Sequence, residues 1–481
     1  MALALVIPII GALLIALLRR RPDYRDAASV VTAVCLFGVV LSLAWQLGAG
    51  QSRPWVLFEV VAGLRIAFSL EPLGMLFALV ASGLWVVTSI YSIGYMRAHH
   101  EHHQTRFYIC FALTLAAAMA IAFADNLLTL FIFYEVMTLA TYPLVTHAGT
   151  EKAVMAGRLY LGYLFATSIG LLLFAVIWTW TLTGTLDFRP GGVLAGKAEN
   201  STLLILLALY VFGTGKAALM PFHRWLPAAM VAPAPVSALL HAVAVVKAGV
   251  FCVMKIVLYV FGIELLHDAG LSVWLMYVAG ATILIASLIA LTQDDLKARL
   301  AYSTVSQLSY VILGAALANV AGVLGGSMHI LMHAFGKITL FFCAGAIAVA
   351  AHKTKVSEMA HIGKQMPVTM VAFLIGSLAI IGLPPLGGSW SKWYLILGAV
   401  DAAQMPLVVV LLVSSLLNIA YLMPVVGRAF FAGGREGSGA NEIHEAPLPC
   451  VVPLCVTAAG CLFLFFFAGD VYEFLVPLVQ R

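Results

Sequence analysis

The chain has 481 residues, of which 63% are hydrophobic and only 10% are charged, and its formal net charge at pH 7 is +5. This composition excludes a soluble domain, because repeated apolar stretches of about 17 or more residues require a bilayer. The basic residues are dispersed through short loops, which excludes a nucleic-acid-binding patch. The seven cysteines fall in apolar segments without metal-ligand spacing. We therefore expect a membrane protein with no metal site and no cofactor.

Hydropathy predicts an all-α fold, a polytopic transmembrane bundle of about fourteen helices. The first apolar run, ALALVIPIIGALLIALL, is followed by RRR, an order typical of a signal anchor with its N-terminus outside. On this orientation 15 loop lysines and arginines face the cytoplasm and 5 face outside, so both termini are expected outside a bacterial inner membrane. The predicted spans are 2–18, 28–47, 73–95, 108–123, 126–146, 157–183, 203–228, 236–262, 271–291, 301–318, 322–350, 369–400, 405–427 and 448–476.

Three connecting segments have their own signals. Residues 54–70, PWVLFEVVAGLRIAFSL, are too polar and broken to span, and two β-prone runs around VAG predict an outer hairpin. The loop 96–107 contains HHEHH, which we interpret as a solvated cytoplasmic loop rather than a metal site. The Gly/Glu-rich segment 429–446 is expected to be a cytoplasmic loop.

Two predicted helices are interrupted by proline, which removes a backbone donor. Helix seven reads GTGKAALMPFHRWLP and breaks at Pro221, with Pro233 and Pro235 following; helix twelve reads AIIGLPPLGGSWSKW and breaks at Pro384 and Pro385. Paired interruptions indicate inverted repeats around an ion path in mid-membrane. Because the breaks lie five helices apart, helices 4–8 and 9–13 would be repeats of opposite topology. The predicted units are 1–107 (helices 1–3 with the hairpin), 108–262 and 271–427 (the repeats), and 428–481 (a cytoplasmic loop and helix 14).

Ionisable side chains inside the predicted spans are the candidate functional residues. Among the acidic residues, Glu135 alone is placed in a membrane interior, in FYEVMTLATYPL. An unpaired charge at mid-bilayer costs about 3 kcal/mol, so these groups must meet each other or water. The buried bases are Lys216, Lys247, Lys337 and Lys392, with His241, His329 and His333 nearby.

This set of residues is suited to a proton relay. Burial disfavours the charged forms of both a carboxyl group and an amine, and histidine exchanges protons near neutral pH. We expect Glu135 to set the protonation of Lys216, with Lys247 continuing the line.

Residues 329, 333 and 337 recur at i, i+4 and i+8, so they share a helix face leading to Lys392. Two alternatives stay open: a static Glu135–Lys216 pair, and simple packing roles for His241 and His329. Lys255 lies nearer the outer end, and its ammonium group is expected to extend to the interface.

Several motifs together resemble the antiporter-like proton-conducting subunits of respiratory complex I, membrane-bound hydrogenases and Mrp cation/proton antiporters. They are FYEVMTLATYPL, the block TGKAALMPFHRWLPAAMVAPAPVSALLHAVAVVKAGVF, QDDLKARLAYSTVSQLSY, HILMHAFGKITLFF and GLPPLGGSWSK. The resemblance covers roughly residues 70–425. It implies fourteen helices, inverted five-helix repeats and broken helices seven and twelve.

The resemblance also assigns roles: Glu135 and Lys216 match the helix-five and helix-seven pair, and Lys247 the helix-eight lysine. His333 and Lys337 match the helix-eleven relay, and Lys392 the terminal group. The family's APTPVSALLH appears here as APAPVSALLH, which puts a role for the missing threonine hydroxyl in doubt. The terminal lysine and the length resemble the D component of Mrp antiporters.

Three hypotheses follow. The first is a proton-translocating subunit of a multi-subunit Na+/proton antiporter. The second is a pumping subunit of a complex I-type oxidoreductase or a hydrogenase, and the third is a non-conducting scaffold. The sequence contains no Walker loop, dinucleotide-binding motif or nucleophile elbow, so no catalytic site is predicted in the chain itself. The expected partners are other membrane subunits, the lipid bilayer, protons and Na+.

Overall fold

The computed structural model describes residues 1–50, 54–61, 63–431 and 443–480, with all their side chains except those of residues 240 and 241. Residues 432–442 of the predicted loop 429–446 lie outside the described residues. So do three arginines of the predicted loops and terminus, Arg53, Arg435 and Arg481.

The described chain is a bundle of α-helices, because in lipid every backbone donor and acceptor must be satisfied within the protein. The first part contains α1 (Ala2–Leu17), α2 (Pro22–Gly48), α3 (Pro72–Ala98), α4 (Gln104–Ala122), α5 (Leu127–Val145), α6 (Glu151–Thr167), α7 (Leu173–Thr183), α8 (Asn200–Gly213), α9 (Trp225–Ala228), α10 (Ala234–Ala238), α11 (Val245–Ile256) and α12 (Ile263–Asp268). The second part contains α13 (Val273–Thr292), α14 (Leu296–Ala316), α15 (Val320–Ala351), α16 (Ile362–Gln365), α17 (Pro367–Ile381), α18 (Gly388–Asp401), α19 (Met405–Phe431), α20 (Leu448–Phe466) and α21 (Ala468–Leu475).

Within the described ranges, nine helical segments are long and apolar enough to cross a membrane, and three shorter apolar helices accompany them. One of the nine is Glu151–Thr183, in which a π-helical turn at Ser168–Leu172 joins α6 to α7. These segments confirm a helical membrane bundle. The total of fourteen spans and the division into repeats stay predictions.

The predicted hairpin forms. Strand β1 (Trp55–Val61) pairs antiparallel with β2 (Leu64–Phe68), and Phe68 continues into a bridge with Ala124. The backbone N–H of Ala67 donates to Thr129 Oγ1 at 3.0 Å, which fixes the hairpin to the start of α5. The hairpin therefore packs over one end of the bundle.

The end of the chain differs from its prediction. A continuous helix over 448–476 is wrong, because α20 ends at Phe466 and α21 begins at Ala468. The carbonyl oxygen of Phe465 accepts a hydrogen bond from Trp390 Nε1 at 3.1 Å. The carbonyl end of α20 is thus bound by the side chain of a remote helix, a contact that hydropathy does not predict.

Contacts between loops agree with the predicted division into two faces. On one face, Ser357 binds the Asp294 carboxylate and Arg106 donates to the carbonyl oxygen of His147. On the other face, Asn126 and Asp187 form an isolated antiparallel β-bridge through their backbones. Each contact joins two loops that the predicted topology places on the same side of the membrane. This supports the prediction that successive helices cross the membrane in opposite directions. Which face is cytoplasmic stays a prediction.

Candidate proton-relay site

The first helix break positions Lys216. Helix α8 ends at Gly213, and a 3-10 turn at Gly215–Ala217 follows, so Lys216 sits in non-helical backbone inside the bundle. The freed backbone groups find partners: the Gly215 carbonyl accepts from Trp225 Nε1 at 3.0 Å, and Lys216 N–H donates to Tyr134 OH at 3.0 Å. The break is thus stabilised by protein groups, as an interruption within a membrane requires.

The ammonium group of Lys216 is bound by α5. It donates to the carbonyl oxygen of Tyr134 at 2.8 Å and to Thr138 Oγ1 at 2.6 Å, and lies 3.2 Å from the centroid of the Tyr134 ring. An oxygen cradle and an aromatic face both favour a cation. Lys216 is therefore held by neutral groups at its hydrogen-bonding positions.

Glu135 lies on the same helix but makes no salt bridge with Lys216. Its electrostatic neighbours are Lys216 and Ser168, yet both carboxylate oxygens are buried without a hydrogen-bond partner, and so is Ser168 Oγ. Ser168 opens the π turn that follows α6, a distortion that recurs at functional sites. The carboxylate is near enough to act on the lysine through its charge, but it is not locked to it.

A short contact in the site joins two remote helices. Lys247 Nζ, on α11, lies 2.5 Å from His333 Nδ1, on α15. Both side chains are buried, with exposed fractions of 0% and 1%. A lysine and a histidine in direct contact can exchange a proton without a large movement of either.

Gly249 explains how α11 reaches the first break. A Cβ atom at this position would lie 2.3 Å from the backbone nitrogen of Ala217 and 2.4 Å from the carbonyl carbon of Lys216. Only glycine permits so close an approach of two backbones. The helix that carries Lys247 is therefore seated directly on the turn that carries Lys216.

The line continues along α15. The rings of His329 and His333 have centroids 5.8 Å apart. His329 Nδ1 lies 2.9 Å from Ser391 Oγ, and its Nε2 lies 3.2 Å from Gln307 Oε1, so both ring nitrogens have partners. Since Ser391 immediately precedes Lys392, His329 connects the histidine pair to the second break.

The second break positions Lys392 in the same manner. Helix α17 ends at Ile381, Gly382 adopts a left-handed conformation with φ +88°, and α18 begins at Gly388. Lys392 Nζ donates to the Ile381 carbonyl oxygen at 2.9 Å and to Ser415 Oγ at 3.2 Å. The ammonium group of Lys392 therefore lies at the C-terminus of α17. The unsatisfied carbonyl groups of this helix end carry a partial negative charge, which favours a cation.

Lys337 lies on a separate branch. Its Nζ donates to Ser303 Oγ at 2.6 Å and to the Leu300 carbonyl oxygen at 3.2 Å. Ser303 is 2.7 Å from Tyr421 OH, which donates to Asn418 Oδ1. Asn418 Nδ2 reaches the Ile380 carbonyl, next to the acceptor of Lys392, at 3.5 Å. The route from Lys337 to the second break therefore runs through side chains of α14 and α19.

The remaining predicted positions take other places. Pro233 is the N-cap of α10 and Pro235 lies in its first turn, so both stand at a helix start. His241 lies in a π turn at Leu239–Val243, but its side chain is outside the described residues.

Comparison with known proteins identifies the chain. Residues 124–418 match the family described as NADH:quinone oxidoreductase/Mrp antiporter, TM, and residues 59–108 match NADH-Ubiquinone oxidoreductase (complex I), chain 5 N-terminus. The chain belongs to the first of these families. The resemblance drawn from its motifs is thereby confirmed.

Relatives in this family occur in several complexes. The chain is 34% identical to NADH-quinone oxidoreductase subunit N of Desulforudis audaxviator, over 99% of this chain and 98% of that protein. It is 31% identical to hydrogenase-4 component B of Escherichia coli, over 83% of this chain and 62% of that protein.

Two solved structures share the fold. A chain of the Mrp complex from Dietzia sp. matches with a TM-score of 0.85 at 21% identity, over 99% of this chain and 97% of that chain. A chain of an archaeal membrane-bound sulfane sulfur reductase matches with a TM-score of 0.86 at 24% identity, over 99% and 96%.

Lys255 corrects one expectation. Its ammonium group does not extend to the interface: the residue is 1% exposed, and Nζ lies 2.9 Å from Glu71 Oε1 and donates to the Ala124 carbonyl oxygen at 2.7 Å. The aromatic faces of Phe188 and Tyr259 lie within 5.5 Å of it. A carboxylate at the N-terminus of α3 holds the lysine inside, and sequence distance concealed this partner.

The sequence also concealed the neutral links of this antiporter-like site. Tyr134 and Thr138 bind Lys216, Gln307 and Ser391 bind His329, and Tyr421 binds Ser303, the partner of Lys337. A signal for one of them was present: the segment STVSQLSY places five hydroxyl or amide side chains besides its tyrosine on α14, and all five are fully buried (Ser303, Thr304, Ser306, Gln307 and Ser309). Buried polar side chains need hydrogen-bond partners, so such a cluster predicts a polar network.

Proposed function

We propose that the chain translocates protons within a multi-subunit membrane complex, along a relay of Glu135, Lys216, Lys247, His333, His329 and Lys392, with Lys337 on a branch. The carrying observation is the direct contact between Lys247 and His333, two buried proton-exchanging groups at the centre of the line. A packing role needs no such pairing, because two basic groups in contact repel each other when both are protonated.

The contacts suggest how a proton would move. When Lys247 is protonated and His333 Nδ1 is not, the ammonium group donates to Nδ1, and transfer of that proton leaves a neutral amine and an imidazolium ion. The next histidine, His329, holds hydrogen bonds at both ring nitrogens, and of its two partners the Ser391 hydroxyl can pass a proton on toward Lys392, whereas Gln307 Oε1 only accepts and orients the ring. Glu135 acts by its charge on Lys216, which biases that lysine toward holding or releasing its proton.

Replacement of Lys247 by methionine tests this proposal. In the complex purified with its partner subunits and reconstituted in liposomes, we expect the initial rate of proton transport to fall at least tenfold, with assembly intact. Loss of the lysine leaves His333 Nδ1 without this partner, at a cost of about 1–3 kcal/mol. Lys197→Met, on an exposed loop lysine, is the matched control. A normal transport rate in Lys247→Met would support the scaffold hypothesis instead.

The complex in which this subunit works has two candidates. The fold is shared with a chain of the Mrp complex structure, and the motif around Lys392 resembles that of the Mrp D component, which supports a Na+/proton antiporter. The names of the relatives, subunit N of an NADH-quinone oxidoreductase and a hydrogenase component, favour a redox-driven complex. Proton movement in membrane vesicles separates them: an imposed Na+ gradient should drive it in the first case, and oxidation of NADH or hydrogen in the second.

A further inference from the structure

A basic cavity lies at one end of the bundle, away from the relay. Its volume is about 1110 Å³, and it opens between the turn after α1, the start of α2, and the α3–α4 connection. Five arginines line it, together with histidines of the HHEHH segment: Arg19, Arg20, Arg25, Arg97 and Arg106, with His100, His102 and His103. We call it the arginine basin.

Carboxylates neutralise only part of this charge. Asp26 binds Arg25 at 2.7 Å and Arg97 at 2.5 Å, and Asp23 binds Arg97 at 2.8 Å. Glu101, which lines the basin, lies 3.8 Å from His147. Five arginines therefore face three carboxylates.

Three arginines of the basin are exposed, and in the part of the chain that the structure describes they have no carboxylate partner. Among the described residues, Arg19, Arg20 and Arg106 have no carboxylate within salt-bridge distance. Arg106 instead donates to the His147 carbonyl oxygen at 3.0 Å. Burial, with the charge of Arg106 adding to it, lowers the pKa of the His147 imidazole to about 4, so that side chain is neutral at pH 7 and offers no positive charge of its own.

An apolar surface begins beside the basin. Leu13 and Leu17 on the last turns of α1 are 61% and 79% exposed, and Ala16 and Ile109 line the cavity itself. Exposed leucines on a membrane helix face acyl chains. A basic cavity at the end of such a helix stands at the depth of lipid headgroups.

We propose that the arginine basin binds the phosphate headgroup of an anionic phospholipid, whose acyl chains lie along the exposed leucines of α1. Guanidinium groups bind phosphate oxygens in a bidentate fork, so Arg19, Arg20 and Arg106 are the binding residues. Arg25 and Arg97 are already engaged by Asp26 and are therefore not assigned to the phosphate. Loop lysines and arginines that only set the orientation of a membrane protein need not surround a common cavity. These five arginine side chains line one cavity.

The test compares phospholipids that differ only in charge. The complex with its partner subunits is purified, titrated with phosphatidylglycerol or phosphatidylcholine, and examined by native mass spectrometry for retained lipid. The parent is expected to retain phosphatidylglycerol preferentially. The triple variant R19Q/R20Q/R106Q should lose this preference by about a hundredfold, because each surface cation contributes about 1 kcal/mol to binding of anionic lipid.

Matched variants keep the result interpretable. K152Q/R158Q/R428Q removes three exposed basic residues outside the basin and should leave retention unchanged. If the triple basin variant does not assemble, Arg20→Gln alone should weaken binding about fivefold.

Three outcomes would overturn the proposal. The first is equal retention of phosphatidylglycerol by the parent and the basin variants. The second is displacement of the lipid by equimolar glycerol phosphate, which would make the ligand a free phosphate compound. The third is loss of a partner subunit from the basin variants while lipid retention persists, which would make the basin a protein interface.

Discussion

Replacement of Glu135 by glutamine is the sharpest test of the relay. The two carboxylate oxygens are buried and have no hydrogen-bond partner among the described residues. The substitution therefore removes a charge while keeping the shape of the side chain and an oxygen that can face Ser168. We expect the free energy of unfolding to change by less than about 1 kcal/mol, the typical worth of a single hydrogen bond.

The electrostatic effect has an upper bound. No carboxylate oxygen of Glu135 lies within 4.0 Å of Lys216 Nζ, the limit for a salt bridge. At 4 Å and an effective dielectric constant of 20, two unit charges interact by about 4 kcal/mol, so the pair contributes less than this. An interaction of about 1.4 kcal/mol already changes an equilibrium tenfold. Loss of the charge can therefore change the proton equilibrium of Lys216 by at most about a thousandfold, and we expect the rate of proton transport to fall about tenfold.

The assay uses the assembled complex in liposomes with a pH-sensitive dye inside. Initial rates of Glu135→Gln, Glu151→Gln and the parent are compared at equal protein content, after size-exclusion chromatography has shown equal assembly. Glu151 is an exposed carboxylate in the first turn of α6 and serves as the matched control. Transport by Glu135→Gln within twofold of the parent would refute the tuning role of this carboxylate.

Four further predictions concern single residues. Gly249→Ala should lower the free energy of unfolding by about 3 kcal/mol, because its Cβ would meet backbone at 2.3 Å, whereas Gly162→Ala, which meets nothing within 4 Å, should not; thermal unfolding compares them. Lys255→Met should cost about 3–5 kcal/mol in the same assay by stranding its carboxylate partner. Tyr421→Phe should slow proton transport severalfold if the branch conducts, and an unchanged rate would assign conduction to the histidine line alone. The pKa of His147 is about 4 in the folded state and 6.5 in the unfolded state, so the unfolded state binds more protons between these two pH values. The free energy of unfolding should therefore fall by at most about 3 kcal/mol as the pH drops from 6.5 to 4. Unfolding measured against pH should show a weaker dependence in His147→Gln.

Much of the fold was accessible from the sequence because hydropathy reports a local requirement. A segment in lipid must be apolar and helical, so the run from Leu127 to Val145 could be located without knowing its neighbours. Proline and glycine act on their own backbone, which is why two interrupted helices could be predicted. The second helix ends at Ile381, close to Pro384, but the first already ends at Gly213, so the predicted break at Pro221 was placed too late. The alternating pattern around VAG likewise predicted the hairpin.

The partners of the buried charges were decided by the tertiary structure. Lys247 and His333 lie 86 positions apart, and no local pattern states that their helices touch. The carboxylate that keeps Lys255 inside comes from the start of α3, so the expected extension of this lysine to the interface was wrong.

What the sequence determined by itself was the inventory: a membrane bundle, two broken helices, and the lysines and histidines that must be buried in it. Only the tertiary structure decided which of these side chains contact one another. It places Glu135 near Lys216 without a salt bridge, and it links Lys337 to Tyr421 through Ser303. The physical reason is that the cost of burying a charge is set by the residue and its segment, whereas relief of that cost depends on which remote helix packs against it.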